Sequence, residues 1–135
     1  MIFVDTGAFL ARYLARDQYH ARVVEGWKEI ERTRVRCFTS DFVLDELLTL
    51  LARRAGSAFA AETGRRFLGS QRLEILRPDI RDEAAAVDLL EKLGDQGVSF
   101  TDCVSFALMS RAKVRRAFTF DRHFEAAGFE VWPQE

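Results

Sequence analysis

The stretch Val35-Arg36-Cys37-Phe38-Thr39-Ser40-Asp41-Phe42-Val43-Leu44-Asp45-Glu46-Leu47-Leu48-Thr49-Leu50-Leu51 changes its period part-way along. Residues 35–39 form a short apolar run with the composition of a buried strand. Ser40 then stands where a helix needs an N-cap, and Phe42, Val43, Leu47 and Leu50 recur at helical spacing until the pattern ends near Gly56. A strand running straight into a capped helix is half of a βαβ unit, and the same alternation extends in both directions. Strands are expected at 2–4, 35–39, 73–76, 117–120 and 129–132. Helical patterns are expected over 7–14, over 19–32 with Asp17 as cap, over 57–68, from Asp79 with Asp82 to Leu93, from Ser99 with Asp102 to about Ala112, and in a last short helix stopping at Gly128. The reading is an α/β domain on a central, mainly parallel five-stranded sheet.

A chain of 135 residues has room for one domain spanning 1–135, with no repeat or linker to divide it. The apolar fraction of 48% and only 2 Pro exclude a disordered tail. Twelve Phe supply core rings that need no polar partner. With 20 Lys plus Arg against 21 Asp plus Glu the chain is not a uniformly basic nucleic-acid binder. All but three of those cations are Arg, however, whose guanidinium can grip a phosphate bidentately. Cys37 and Cys103 lack metal-site spacing and read as reduced core residues. The amino terminus runs Met1-Ile2-Phe3-Val4 directly into Asp5, without a basic region and a long apolar stretch, so the expectation is a soluble cytoplasmic protein with no membrane association.

In an open α/β sheet, ligands sit beyond the carboxyl ends of the strands, so the acids of that edge matter most. Asp5 ends the first expected strand and Asp121 the fourth. Asp102 stands in the first turn of the helix feeding the fourth strand, and Glu46 in the second turn of the helix leaving the second. By helical phase Glu46 flanks the stripe of Phe42, Val43, Leu47 and Leu50 whereas Asp45 points away, and Asp102 stacks with Phe106 and Met109. A carboxylate beside an apolar stripe is costly unless paired or metal-bound. Like charges at 4 Å repel by about 4 kcal/mol at an effective dielectric of 20, so four converging acids require something positive. An all-oxygen pocket favours Mg²⁺ or Mn²⁺, and such an ion suits phosphodiester hydrolysis. Each acid taken singly also has a structural reading, as a cap, a turn residue or an exposed helix former. His20 and His123 read as surface residues or caps, neither with a catalytic partner.

The segments Phe3-Val4-Asp5-Thr6, Glu46 in its helix, Ser99-Phe100-Thr101-Asp102-Cys103 and Thr119-Phe120-Asp121-Arg122-His123-Phe124 together resemble a PIN domain, and are most similar to the VapC-type ribonuclease toxins of bacterial toxin-antitoxin systems. The resemblance covers essentially the whole chain. It implies a three-layer α/β/α sandwich and a metal-dependent endoribonuclease. Asp5, Glu46, Asp102 and Asp121 would be the catalytic, metal-holding quartet for Mg²⁺ or Mn²⁺. Thr6 and Thr119 would place hydroxyls beside it, with Asp95 as an accessory acid. Gly7 departs from the small polar residue often found after the Asp-Thr pair. A homodimer and a cognate antitoxin are implied as partners, with RNA as substrate.

Asp5-Thr6-Gly7 is also the aspartic-protease tripeptide, but those enzymes are all-β and helical periodicity dominates here. A non-catalytic PIN-like module that binds protein or RNA without turnover is the stronger alternative. Arg16, Arg53, Arg54 and Arg122 are the candidates by position for an RNA-gripping rim, although each could equally be part of a solvated helix face. The helix over 99–112 and the run 47–51 are apolar around most of their circumference, which suggests that a second copy covers part of them.

Overall fold

The computed structural model describes residues 1–134. Five strands, β1 (Ile2–Val4), β2 (Cys37–Ser40), β3 (Leu73–Leu76), β4 (Arg116–Phe118) and β5 (Glu130–Trp132), form one sheet in the order β3-β2-β1-β4-β5. All four pairings are parallel. The central strands are apolar without alternation because helices cover both faces: Ile2, Phe3 and Val4 are all buried, as are Ala117 and Phe118. At the edge, β3 turns Glu74 outward to within 3.9 Å of Arg36.

The connections are α1 (Thr6–Tyr13), α2 (His20–Thr33), α3 (Asp41–Ala55), α4 (Ser57–Gly69), α5 (Ile80–Leu93), α6 (Phe100–Ala112) and α7 (His123–Ala126), with a 3-10 turn at Gly94–Gln96. From β1 the chain steps outward to β2 and β3, then crosses back to β4 and β5. Right-handed crossovers therefore set α1–α4 on one face and α5–α7 on the other. Aromatic contacts agree: Phe9 of α1 meets Trp27 of α2 and Phe67 of α4, while Phe106 of α6 packs edge-on against Phe124 of α7. At Gly26 a β-carbon would come within 2.7 Å of Cζ of Phe118, so α2 lies close on the sheet only because no side chain intervenes.

Helix starts follow the sequence signals. Ser40 Oγ accepts the Val43 N–H at 3.0 Å, and reciprocal capping boxes join Asp79 to Asp82 and Ser99 to Asp102. Three expectations are corrected. Asp17 accepts the Tyr19 N–H in a turn and does not cap α2. The second strand begins at Cys37 and not at Val35, because Arg34 takes a left-handed conformation as the C-cap of α2 and delays the extended run. The fourth strand runs Arg116–Phe118 and not to Phe120: the Thr119 N–H still bonds Trp132 O at 3.2 Å, and the chain then leaves the sheet as the Thr119 hydroxyl accepts the Asp121 N–H.

The apolar circumference of the helix over 99–112 and of the run 47–51 does not by itself require a second copy. Cys103 through Met109 are buried, and so are Leu44, Leu47 and Leu51, by layers of this same chain. The α6 helix is apolar all round because it sits inside one sandwich. The large apolar side chains left in solvent are elsewhere, among them Ile80, Val87 and Leu90 on α5. Cys37 and Cys103 are free and buried, as read from the sequence. Among the described residues no helix is long and apolar enough to cross a membrane.

Candidate active site

Strand order reverses direction between β1 and β4, and this opens a crevice at their carboxyl ends. Asp5 stands at that point, directly after β1 and as N-cap residue of α1. Its backbone N–H bonds Phe118 O at 3.1 Å, which extends the β1–β4 ladder by one step and fixes the side chain at the sheet's centre. Thr119, one residue past β4, donates its hydroxyl to Asp5 Oδ2 at 2.9 Å. The same hydroxyl oxygen accepts the Asp121 N–H at 3.0 Å, so one buried threonine ties two acids to the sheet.

Asp5 is only 8% exposed. Burial, then the charge of Asp102, and to a lesser degree that of Glu46, push its carboxyl up to about 7, against the opposing hydrogen bonds from Thr6 and Thr119. Asp102, on the first turn of α6, is also raised, by burial first and then by Asp121 and Glu46. The charges of Asp102 and Glu46 thus act on Asp5, and those of Asp121 and Glu46 on Asp102. Asp45, next to Glu46, is exposed, as its helical phase requires.

Asp82 shows what a buried acid with a purely structural role looks like in this chain. It is 6% exposed, belongs to a capping box, and has Arg111 Nε 2.9 Å from its carboxylate. Among the described residues Asp5 has no such cation, and the charges that raise it are other carboxylates. The Oγ1 of Thr6, in a residue 5% exposed, is a further buried oxygen with no hydrogen-bond partner among the described residues. Uncompensated carboxylates beside an orphan hydroxyl are a donor set suited to a hard divalent cation. The capping role of Asp102 does not compete with this, because the Ser99 N–H engages Oδ2 alone.

Other candidates fall further out. Asp95 is exposed on the 3-10 turn. Arg16 is exposed in the α1–α2 connection, Arg53 and Arg54 in the last turn of α3, and Arg122 beside Asp121, with its guanidinium 3.3 Å from Glu125. His20 meets Ala11 O at 2.7 Å, consistent with a structural residue. His123 is different, and corrects the expectation that it has no relevant partner. Its Nδ1 lies 2.8 Å from Asp121 Oδ1, and it forms a potential metal-binding triad with Asp102 and Asp121. The signal in the sequence was the Asp-x-His spacing. Asp121 accepts the His123 backbone N–H at 2.9 Å, a tight turn that folds the imidazole back over the carboxylate.

A doubly wound parallel sheet with acids gathered at its switch point defines the class, and residues 2–130 match the family model of the PIN domain, so the chain belongs to that family. It is 35% identical to the 23S rRNA-specific endonuclease VapC20 of Mycobacterium tuberculosis, across 99% of this chain and 100% of that protein. The crystal structure of M. tuberculosis VapC20, described as a sarcin-ricin loop cleaving toxin, superposes with a TM-score of 0.83 at 32% identity over 96% of each chain. FitAcB from Neisseria gonorrhoeae shares the fold, with a TM-score of 0.69 at 20% identity over 97% of this chain and 96% of that one.

Proposed function

We propose that this protein is a metal-dependent endoribonuclease and the toxin of a toxin-antitoxin pair, with Asp5, Glu46, Asp102 and Asp121 as the carboxylates that hold Mg²⁺ or Mn²⁺. One observation carries the reading: Asp5 is buried at the switch point, raised to about 7, and faces carboxylates where Asp82 faces an arginine. A bound ion would polarise a phosphodiester and supply hydroxide near neutral pH.

The chain's own residues prepare that site. Thr119 orients Asp5 and Asp121 together, the α6 capping box holds Asp102 over the crevice, and Thr6 offers its unpartnered hydroxyl. Asp95 is the accessory acid of this reading, exposed on the Gly94–Gln96 turn that His123 touches. Arg16, Arg53, Arg54 and Arg122 would hold the RNA backbone outside the acidic crevice. Full-length identity of 35% to VapC20 makes the sarcin-ricin loop of 23S rRNA the substrate to test first. The partners in this reading are a cognate antitoxin and a second copy in the cytoplasm, the exposed apolar residues Ile80, Val87 and Leu90 of α5 being a surface a second copy can cover.

The test maps cleavage ends on total RNA with wild type and Asp102→Asn, in Mn²⁺, in Mg²⁺ and in chelator. Discrete ends are expected only with wild type plus metal. Cleavage that survives both the substitution and the chelator would overturn the assignment.

A further inference from the structure

His123 adds a nitrogen to an otherwise all-oxygen site. The ring Nε2 lies 2.7 Å from the carbonyl oxygen of Gln96 on the 3-10 turn. A carbonyl can only accept, so Nε2 carries the hydrogen, and in the neutral imidazole this leaves Nδ1 as a bare lone pair. Nδ1 is closed off from solvent and, among the described residues, has no hydrogen-bond partner. It nevertheless sits 2.8 Å from Asp121 Oδ1, an oxygen already engaged by the His123 backbone N–H.

Two lone-pair atoms at that distance repel. A hydrogen placed on Nδ1 would not relieve the contact, because it would point off the line to the carboxylate. A cation within reach of both atoms would turn the repulsion into coordination. A ring nitrogen of His123 and one carboxylate oxygen from each of Asp102 and Asp121 all lie within 4.8 Å of one another, close to the span of donors around a single ion, and Nδ1 is the nitrogen in contact with Asp121. The other side of the ring is arranged accordingly, since metal-bound histidines characteristically donate their second N–H to a carbonyl or carboxylate that fixes the tautomer. Gln96 O does that here.

We propose that Nδ1 of His123 is a further ligand of the divalent ion held by Asp102 and Asp121, and that this nitrogen biases the site toward Mn²⁺ and later first-row ions over Mg²⁺. The bias follows from ligand type: carboxylates alone suit Mg²⁺ and Mn²⁺, whereas an imidazole favours the transition ions. The inference rests on the metal-dependent reading above. A bracing role, in which His123 only fastens the Gly94–Gln96 turn to the Asp121 corner, predicts no such selectivity.

The experiment titrates Mg²⁺ and Mn²⁺ calorimetrically into wild type, His123→Phe, His123→Gln and Asp102→Asn, and records the visible absorption of Co²⁺ bound to each. Thermal unfolding confirms that each variant is folded. His123→Phe keeps the ring volume, and His123→Gln keeps a polar side chain without the imidazole. The expected result is a loss of about tenfold or more in Mn²⁺ affinity for both His123 variants, Mg²⁺ affinity within about twofold of wild type, and a shifted Co²⁺ spectrum. Equal effects on both ions, or none, with an unchanged Co²⁺ spectrum, would overturn the ligand role. Loss of Mn²⁺ binding in Asp102→Asn but not in the His123 variants would overturn this inference and leave the metal reading standing. Failure of wild type to bind any divalent ion would overturn both.

Discussion

Replacing Asp5 with Asn should make the metal-free protein more stable while abolishing its nuclease activity. Asp5 carries a folded-state midpoint of about 7 against an ordinary value of 3.8. Between those values the native state binds more protons than the unfolded chain, so this residue's contribution to stability falls as pH rises through that window and levels off above it. A shift of roughly three units corresponds to about 4 kcal/mol at pH 8, of which roughly 2–3 kcal/mol accumulates between pH 5 and pH 8. Asn keeps an oxygen to accept the Thr119 hydroxyl, and its amide N–H groups meet carboxylates that can accept them. The variant should therefore gain up to about 4 kcal/mol at pH 8, which is on the order of 10 °C in Tm for a domain of this size, and clearly less at pH 5. The assay is thermal unfolding by circular dichroism in chelator at both pH values. A second arm adds Mn²⁺, where saturation at a hundred times Kd would stabilise wild type by about 2.7 kcal/mol and leave the variant unmoved. A Tm at or below wild type at pH 8, or the same gain at both pH values, would refute the argument that Asp5 is an uncompensated buried carboxyl.

Gly26→Ala should destabilise the fold by about 1–3 kcal/mol through overpacking, because the added carbon meets Phe118 at 2.7 Å and Trp132 at 3.2 Å; urea unfolding measures it, and an unchanged midpoint would contradict the close approach of α2. Arg111→Ala removes the cation 2.9 Å from buried Asp82, with an expected cost of about 1–3 kcal/mol. A double-mutant cycle with Asp82→Asn should show that the two losses are not additive. Joint replacement of Arg16, Arg53, Arg54 and Arg122 by Gln should flatten the salt dependence of RNA binding by about 0.7 in log–log slope for each phosphate no longer gripped, and an unaltered slope would remove these arginines from the interface.

How much of this was legible in the sequence follows from what kind of information each feature needs. Periodicity and caps are local, so Ser40, Asp79 with Asp82, and Ser99 with Asp102 marked helix starts that the structure places at the same residues. Unbroken apolar runs such as Ile2–Val4 marked strands buried on both faces, and hence a parallel sheet. Helical phase separated Glu46 from Asp45 without any coordinates. The resemblance carried by the segments around Asp5, Asp102 and Asp121 pointed to the family whose model matches residues 2–130.

Tertiary structure decided the features that depend on which surfaces meet. Whether the apolar circumference of α6 called for a second copy or a second layer depended on its neighbours, and the chain's own sandwich buries it. Asp82 and Asp102 carry the same local signature, an acid at the third position of a capped helix, yet Arg111 reaches one across 29 residues while carboxylates surround the other. His123 likewise looks like a helix-starting surface residue until the 3-10 turn at Gly94–Gln96 comes up against its far nitrogen and turns the near one toward the acids. Period, phase and side-chain chemistry are determined by sequence because they repeat within a few residues. Charge compensation is a property of side chains that are distant along the chain, and only the folded packing sets which of them come together.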